Sequence, residues 1–303
     1  MSTNEAKKKT TDWLLSQKTL GHQEFSIERV SSRKAKTISI TSGKGGVGKT
    51  SVAVKMSRML ADRGHKTLLI DCDCNLSNTA VKLGYPLTND FYAFISGEKE
   101  FSECLLRDGN FHLISGCNGN VDLFDYGMEL ARIIIDLIVE QERNYDYILL
   151  DCPAGISKDV LNINAYTDYR FVIITPDKSS ITDSYSLMKI LKTKYGVTNN
   201  HLLINKVSST TQYQRMVKIL SETVENYMNC RLNILGGLSK QEESVDMFDR
   251  LLMDEANTAL HKDFSKALDR FTEELAIHVG ASSKISKRPI YRDDFGQYVQ
   301  NLS

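Results

Sequence analysis

The chain has 303 residues, 41% of them hydrophobic, and its 38 lysines and arginines balance its 38 aspartates and glutamates. This length allows a full buried core, and a net charge of zero disfavours nucleic acid as a partner. The N-terminus lacks the apolar stretch of a secretory signal and no apolar run is long enough to span a bilayer, so we expect a cytoplasmic protein.

Residues 1–35 form a polar, charged extension that contains Trp13, the only tryptophan of the chain. Together with Leu14, Leu15 and Leu20, Trp13 predicts a short helix with one apolar face. Such a helix would dock on a partner or on the chain itself.

From residue 36 to residue 279, apolar strand candidates alternate with helical patterns, which indicates crossover units and a mainly parallel sheet. The predicted fold class is α/β, with a twisted sheet of about seven to eight strands and helices on both faces. The predicted strands are 37–41, 67–71, 111–115, 146–151, 170–175, 201–205 and 231–235. The six cysteines are scattered and predict small core residues in a reducing compartment.

A phosphate-binding loop follows the first strand, because Gly43, Gly48, Lys49 and Thr50 meet the frame G-x-x-x-x-G-K-[ST] between a strand and a helix. Glycines let the backbone N–H groups turn inward around phosphate oxygens. This motif predicts a P-loop NTPase, with Lys49 on the β/γ-phosphates and Thr50 on Mg²⁺. The predicted nucleotide-binding residues of the loop are Gly43, Lys44, Gly45, Gly46, Val47, Gly48, Lys49, Thr50 and Ser51.

Lys44 is a second lysine in this loop, and an ordinary P-loop does not need it. A cation beside Lys49 is most useful if it points away from its own nucleotide. We therefore predict that Lys44 meets phosphates held by another molecule.

Two apolar strands end in carboxylates, Asp71 and Asp73 after the first and Asp151 after the second. Ligands of parallel α/β sheets bind at the carboxyl ends of the strands, so these aspartates are expected beside the P-loop. Thr50, Asp71 and Asp151 are the predicted Mg²⁺ residues.

A third strand ends in Asn205 and Lys206. The paired donor and acceptor of an asparagine suit the edge of a purine ring, although asparagine also caps helices. Asn205 is therefore a predicted contact of the nucleotide base, and Lys206 beside it is a predicted nucleotide-binding residue.

Residues 280–303 form a tail in which Phe295, Tyr298, Val299 and Leu302 lie at helical spacing. This pattern predicts a short amphipathic helix, preceded by four basic residues that could contact anionic headgroups. The segment 284–302 is a candidate for peripheral association with the inner face of the cell membrane. The alternative is a tail that docks on its own domain.

The motifs at 43–50, 71–78, 151–156 and 176–184 resemble the MinD/ParA family of ATPases, whose deviant Walker A motif carries the additional lysine. The resemblance extends from about residue 36 to residue 275. Spacing between the motifs is closer to the FlhG/FleN branch, ATPases that regulate flagellar number and placement.

The resemblance implies a homodimer that encloses two ATP molecules, with Lys44 of each subunit on the phosphates held by the other. It implies that Asp73 activates the attacking water with the help of Asn78, while Asp71 and Asp151 order Mg²⁺. Slow hydrolysis would then disorder the switch segments and separate the subunits. The implied partners are flagellar assembly or polar-placement proteins.

The sequence departs from the family pattern at Thr79-Ala80 and at Ser239-Lys240-Gln241, which leaves contacts at those positions open. The alternatives are a MinD-like division-site ATPase, a ParA-like DNA-partitioning ATPase, and an adaptor that binds ATP without hydrolysing it. An iron–sulfur carrier would need a Cys-x-x-Cys motif, and a bacterial tyrosine kinase would need a C-terminal tyrosine cluster. The sequence contains neither, so both classes are disfavoured.

Overall fold

The computed structural model describes residues 34–73, 79–86, 88–115, 130–242, 248–249, 252–253, 258–281, 290–292 and 297–299. The predicted Trp13 helix and Asn78 lie outside these residues. The first strand begins at Lys36 and the long final helix ends at Ala281.

An eight-stranded sheet forms the centre of the fold, in the order β3-β4-β2-β5-β1-β6-β7-β8. All neighbouring strands are parallel except β3 and β4, so the predicted α/β fold with a mainly parallel sheet is confirmed. The strands are β1 Lys36–Thr41, β2 Thr67–Asp71, β3 Leu106–Asp108, β4 Phe111–Ile114, β5 Tyr147–Asp151, β6 Tyr169–Ile174, β7 Asn199–Val207 and β8 Arg231–Ser239.

Helices cover both faces of this sheet. They are α1 Lys49–Asp62, α2 Thr79–Lys82, α3 Asp90–Ile95, α4 Leu130–Gln141, α5 Lys158–Tyr166, α6 Lys178–Tyr195, α7 Thr210–Met228 and α8 Ala259–Ala281. The apolar side chains of α1 and α8 pack on one face, while those of α4 pack on the other. Near-continuous apolar runs such as Tyr147–Asp151 are buried throughout because the sheet is covered on both faces.

Strand β1 lies near the centre of the sheet, between β5 and β6. Its carboxyl end therefore opens between the ends of β5 and β6, where the loop to α1 begins. This arrangement brings the residues after β1, β2, β5, β6 and β7 to one edge of the sheet, as the parallel topology predicts.

In the tail, the structure contradicts the predicted helix. Ile290–Arg292 pairs in antiparallel register with Gln297–Val299, so the predicted helix through Tyr298 and Val299 is wrong. Gly296 lowers helix stability, and β-branched and aromatic residues such as Ile290 and Tyr298 favour strands. The predicted helix was marginal in length as well.

Candidate functional site

The loop between β1 and α1 has the backbone conformation of an anion-binding cradle. Gly46 and Gly48 have φ values of 73° and 97°, in the left-handed region that favours glycine. Gly48 precedes the first residue of α1, and its carbonyl accepts the first helical hydrogen bond, from the Val52 N–H at 3.1 Å. The helix N-terminus thus points its free N–H groups toward the loop, where they attract a phosphate.

Gly43 allows the close approach of α6 to the loop. A Cβ built on Gly43 would lie 2.2 Å from the backbone carbonyl carbon of Asp183, far inside van der Waals contact. Gly45 has open space at the same position. The glycine at 43 is therefore required by packing, and the loop is fixed against α6 from its start.

Lys49 is a half-buried cation of the site. Its Nζ donates to the Ser42 hydroxyl at 3.1 Å. Burial lowers the pKa of Lys49, and the negative charges of Asp151 and Asp73 act in the opposite direction.

Two carboxylates, Asp71 and Asp151, lie at the ends of neighbouring strands and are register partners in the sheet. Both are buried, with relative exposures of 2% and 3%. Burial raises the pKa of Asp151 to about 7, and the Asp71 charge adds to this, while a hydrogen bond from the Thr50 hydroxyl lowers it.

The Asp151 Oδ1 atom is buried without a hydrogen-bond partner. A buried oxygen with no donor, beside a second carboxylate and a threonine hydroxyl, is the ligand chemistry that Mg²⁺ prefers. Thr50, Asp71 and Asp151 therefore fit Mg²⁺, the ion that the sequence pattern predicts at these residues.

Asp73 follows β2 and is half-buried, and its backbone N–H donates to Asp71 Oδ1 at 3.1 Å. Its charge acts on Lys49 and on Asp151, which places the carboxylate among the P-loop and Mg²⁺ residues. After β5, the Gly155 N–H donates to the Ser42 carbonyl at 3.0 Å, so this segment contacts the start of the P-loop.

Lys44 forms an ion pair that the sequence did not predict. Its Nζ lies 2.9 Å from Asp177 Oδ1. Asp177 also accepts hydrogen bonds from the Thr175 hydroxyl at 2.6 Å, the Ser179 hydroxyl at 2.7 Å and the Ser180 N–H at 2.9 Å. These donors and Lys44 hold the pKa of Asp177 well below its usual range.

Asp177 precedes α6 as its N-cap residue. An aspartate between the end of a strand and the start of a helical pattern is a sequence signal for a helix N-cap. That signal predicts the cap but not the lysine that binds it, because Lys44 lies 133 positions earlier in the chain.

Asn205 and Lys206 contact the P-loop backbone. Asn205 Nδ2 donates to the Val47 carbonyl at 2.8 Å, and Lys206 Nζ donates to the Gly46 carbonyl at 2.9 Å. The contact of Asn205 with the nucleotide base, and of Lys206 with the nucleotide, stays a prediction. Ser51 is buried in the first turn of α1, beside Thr50.

Four cysteines lie in the described part of the chain, and all four are buried with free thiols, as predicted for core residues. Among the helices described, none combines the length and the apolar character that crossing a membrane requires.

Comparison with known proteins gives matches in sequence and in structure. The sequence model of a family described as an AAA domain matches residues 35–204. The chain is 27% identical over 206 residues to the antiactivator FleN of Pseudomonas aeruginosa, which covers 68% of this chain and 74% of that protein. It is 25% identical over 210 residues to the septum site-determining protein MinD of Bacillus subtilis, covering 69% of this chain and 77% of that protein.

In structure, the chain resembles the septum site-determining protein MinD of Pyrococcus horikoshii, which was solved in complex with Mg-ADP. The TM-score is 0.62 at 22% identity, over 83% of this chain and 100% of that chain. This likeness shows the shared fold.

Proposed function

Since this chain belongs to the AAA domain family, as a P-loop ATPase of the MinD/ParA type, we propose that it acts as an ATP-driven dimeric switch. The observation that carries the proposal is the contrast between two lysines of one loop. Lys49 donates to Ser42 and lies near the charges of Asp151 and Asp73, whereas Lys44 pairs with Asp177 and its side chain is 39% exposed. One lysine is placed to serve the chain's own nucleotide, and the other is accessible to a second molecule.

ATP is the proposed ligand of the P-loop, with its β/γ-phosphates on Lys49 and on the N–H groups at the start of α1. Thr50, Asp71 and Asp151 would hold Mg²⁺, directly or through water. When bound, Mg²⁺ neutralises charge on the phosphoryl oxygens. The orphaned Asp151 oxygen supports this assignment.

Asp73 is the proposed residue that orients the attacking water and accepts its proton. It is half-buried at the end of β2, and its charge acts on Lys49. Asn78, which lies outside the described residues, is the proposed second contact of that water. Phosphoryl transfer needs mainly positioning and charge neutralisation, which these side chains can provide.

A second copy of the chain is the proposed partner across the site. Val81 in α2 and Ile156 after β5 are apolar side chains with exposures of 50% and 47%. Covering them in a dimer would remove apolar surface from water. The same contact would bring Lys44 of one subunit toward the phosphates held by the other.

A complementation experiment tests the shared site. Lys44→Ala removes the lysine supplied to the partner, and Asp73→Ala removes the residue supplied to the chain's own nucleotide. In a mixed dimer, one of the two sites would contain both residues. Two inactive variants should therefore regain ATPase activity when mixed, with one active site in each mixed dimer.

No recovery in the mixture would overturn the shared site, provided that each variant alone still binds ADP. Lys44→Arg serves as the matched control, because it keeps a cation at the same position. If both variants were inactive, bound ADP and failed to complement, an adaptor role without shared catalysis would be the better description.

The proposed cellular role is control of flagellar number or placement, supported by the similarity to FleN over 68% of the chain. The similarity to MinD supports division-site selection as the alternative. Deletion of the gene in its own organism separates them, since altered flagellar number supports the first role and misplaced septa support the second. A DNA-partitioning role would need a basic surface, and the net charge of zero argues against one.

Peripheral membrane binding is proposed through the basic residues of the tail, without the amphipathic helix. These residues are Lys284, Lys287, Arg288 and Arg292. Sedimentation with anionic vesicles, but not with zwitterionic ones, would support this contact, and the paired substitutions Lys287→Glu and Arg288→Glu should abolish it.

A further inference from the structure

The carbonyls of the P-loop point away from the phosphate cradle, and two of them are held by one short segment. In a loop whose N–H groups turn inward, the carbonyl oxygens turn outward. The Gly46 carbonyl accepts from Lys206 Nζ at 2.9 Å, and the Val47 carbonyl accepts from Asn205 Nδ2 at 2.8 Å. Consecutive residues of β7 therefore hold consecutive peptide groups of the loop.

This segment lies at an irregularity in the sheet. The pairing of β7 with β8 shifts register between Ile204 and Val207, so that Asn205 and Lys206 form a bulge. Bulges near functional sites commonly redirect side chains. Here the bulge directs both side chains at the P-loop and not along the β8 edge.

Lys206 adopts a backbone conformation that is unfavourable for its residue type. Its φ is 59°, in the left-handed region, where the Cβ of a non-glycine residue crowds the backbone. The Asn205 Oδ1 atom accepts from the Lys206 N–H at 2.8 Å and stabilises this conformation. Strain of this kind persists where the surrounding structure enforces it, and it is concentrated at functional sites.

The fit between the segment and the loop is close. A Cβ at Gly48 would lie 2.5 Å from Asn205 Nδ2, so a side chain there would displace the amide from its position against the loop. The φ of Gly48 is 97°, a second reason for glycine at this position. The geometry points to Asn205 and Lys206 as positioning residues that hold the P-loop, through its outward carbonyls, in the conformation that binds phosphate.

This inference rests on the proposed function only in that the ligand is a nucleotide phosphate. It gives Lys206 and Asn205 a role that does not depend on the base. The two roles differ in a measurable way, because a residue that positions the loop affects every phosphate ligand. A residue that contacts the base affects only ligands that have one.

Binding of ADP and of inorganic pyrophosphate to the full chain separates these roles. Lys206→Ala and Asn205→Ala should each weaken both ligands by a similar factor, about 2- to 10-fold for one hydrogen bond. Lys206→Arg keeps a cationic N–H donor and should retain most of the affinity. Lys218→Ala removes the same charge from an exposed site on α7 and should leave both affinities unchanged.

A glycine at 206 separates the side chain from the strain. Lys206→Gly removes the hydrogen bond to the Gly46 carbonyl and relieves the left-handed conformation. It should therefore lose affinity like Lys206→Ala and yet unfold at a higher temperature than Lys206→Ala. An equal loss of affinity in two variants of different melting temperature is not the result of partial unfolding.

Amide hydrogen exchange of residues 44–48 without ligand provides a second readout. Lys206→Ala and Lys206→Gly should both exchange faster there than the wild type, with no change in β5. A loss of ADP affinity without a loss of pyrophosphate affinity would overturn the inference in favour of a base contact, as would unchanged exchange. If the wild-type protein bound neither ligand, the proposed function would fall, and the exchange comparison would still decide the role of Lys206.

Discussion

Lys44 and Asp177 of the same chain form an ion pair, with 2.9 Å between Nζ and Oδ1, at the rim of the nucleotide pocket. If Lys44 contacts the phosphates of a second subunit, it has to leave this pair. The Asp177 carboxylate has three other hydrogen-bond donors in Thr175, Ser179 and Ser180, so it remains satisfied when the lysine leaves. The pair therefore competes with dimer formation at a modest cost.

Asp177→Asn should favour the ATP-bound dimer. Asparagine caps a helix as well as aspartate does, so α6 is preserved while the charge that holds Lys44 is removed. Side chains that are 39% and 44% exposed give a screened ion pair, which is worth roughly 0.2–1 kcal/mol. We expect a dimer dissociation constant about 1.5- to 5-fold lower with ATP, measured by analytical ultracentrifugation, and an increase in that constant would contradict the competition.

Gly43→Ala should destabilise the chain, because its Cβ would collide with the Asp183 backbone in α6. Overpacking against a backbone that cannot move aside costs about 1–3 kcal/mol. Gly45→Ala is the matched control, with open space at its Cβ, and should change stability little. Urea unfolding of both variants measures the difference, and equal stabilities would show that α6 does not depend on Gly43.

Asp151→Asn should stabilise the ligand-free protein while abolishing ATPase activity. The carboxylate is buried beside Asp71, which raises its pKa to about 7, so at pH 8 the folded chain carries an unfavourable charge there. Replacing it with a neutral isostere should add about 1–3 kcal/mol to the free energy of unfolding at pH 8. A less stable variant would contradict the cost of that charge, and retained activity would remove Asp151 from the proposed Mg²⁺ site.

His201 should make the protein less stable in acid. Its ring is buried among Tyr169, Phe171 and Phe271, and burial lowers its pKa, while Glu274 acts in the opposite direction. A depressed histidine pKa means that the unfolded chain binds the proton more tightly. The contribution of the neutral His201 ring to the free energy of unfolding is therefore present above pH about 6.5. It is lost as the pH falls through the folded pKa.

The pH dependence of unfolding in His201→Gln measures this contribution. Between pH 7 and pH 5 the wild type should lose more stability than the variant, by at most about 1.4 kcal/mol per pH unit. Parallel curves for the two proteins would show that Glu274 compensates the buried ring fully.

The central sheet could be predicted from sequence because its strands are short apolar runs separated by helical periodicity. Strand β3, Leu106–Asp108, was missed because it is short and its last two residues are exposed and charged. Strand β8 continues past its predicted end because Gly236 and Gly237 pair with Leu203 and Ile204 of β7. Local propensity does not encode such contacts.

The candidate site was predictable where one motif or one topological rule fixes it. The P-loop and the strand-end aspartates Asp71 and Asp151 follow from a glycine pattern and from parallel strand order. The Lys44–Asp177 pair and the contacts of Asn205 with the P-loop could not be predicted in this way, because they join residues more than 130 positions apart. They depend on how β6, β7 and the loop after β1 meet at the sheet edge.

The molar mass of the full chain in solution, determined by light scattering with ADP and with ATP, tests the dimeric switch most directly. Wild-type protein should be a monomer of 34.2 kDa with ADP, and Asp73→Ala with ATP should form a stable dimer of twice that mass. Lys44→Ala with ATP should remain a monomer. A monomer under every condition would contradict the shared site and leave Lys44 without a partner to reach.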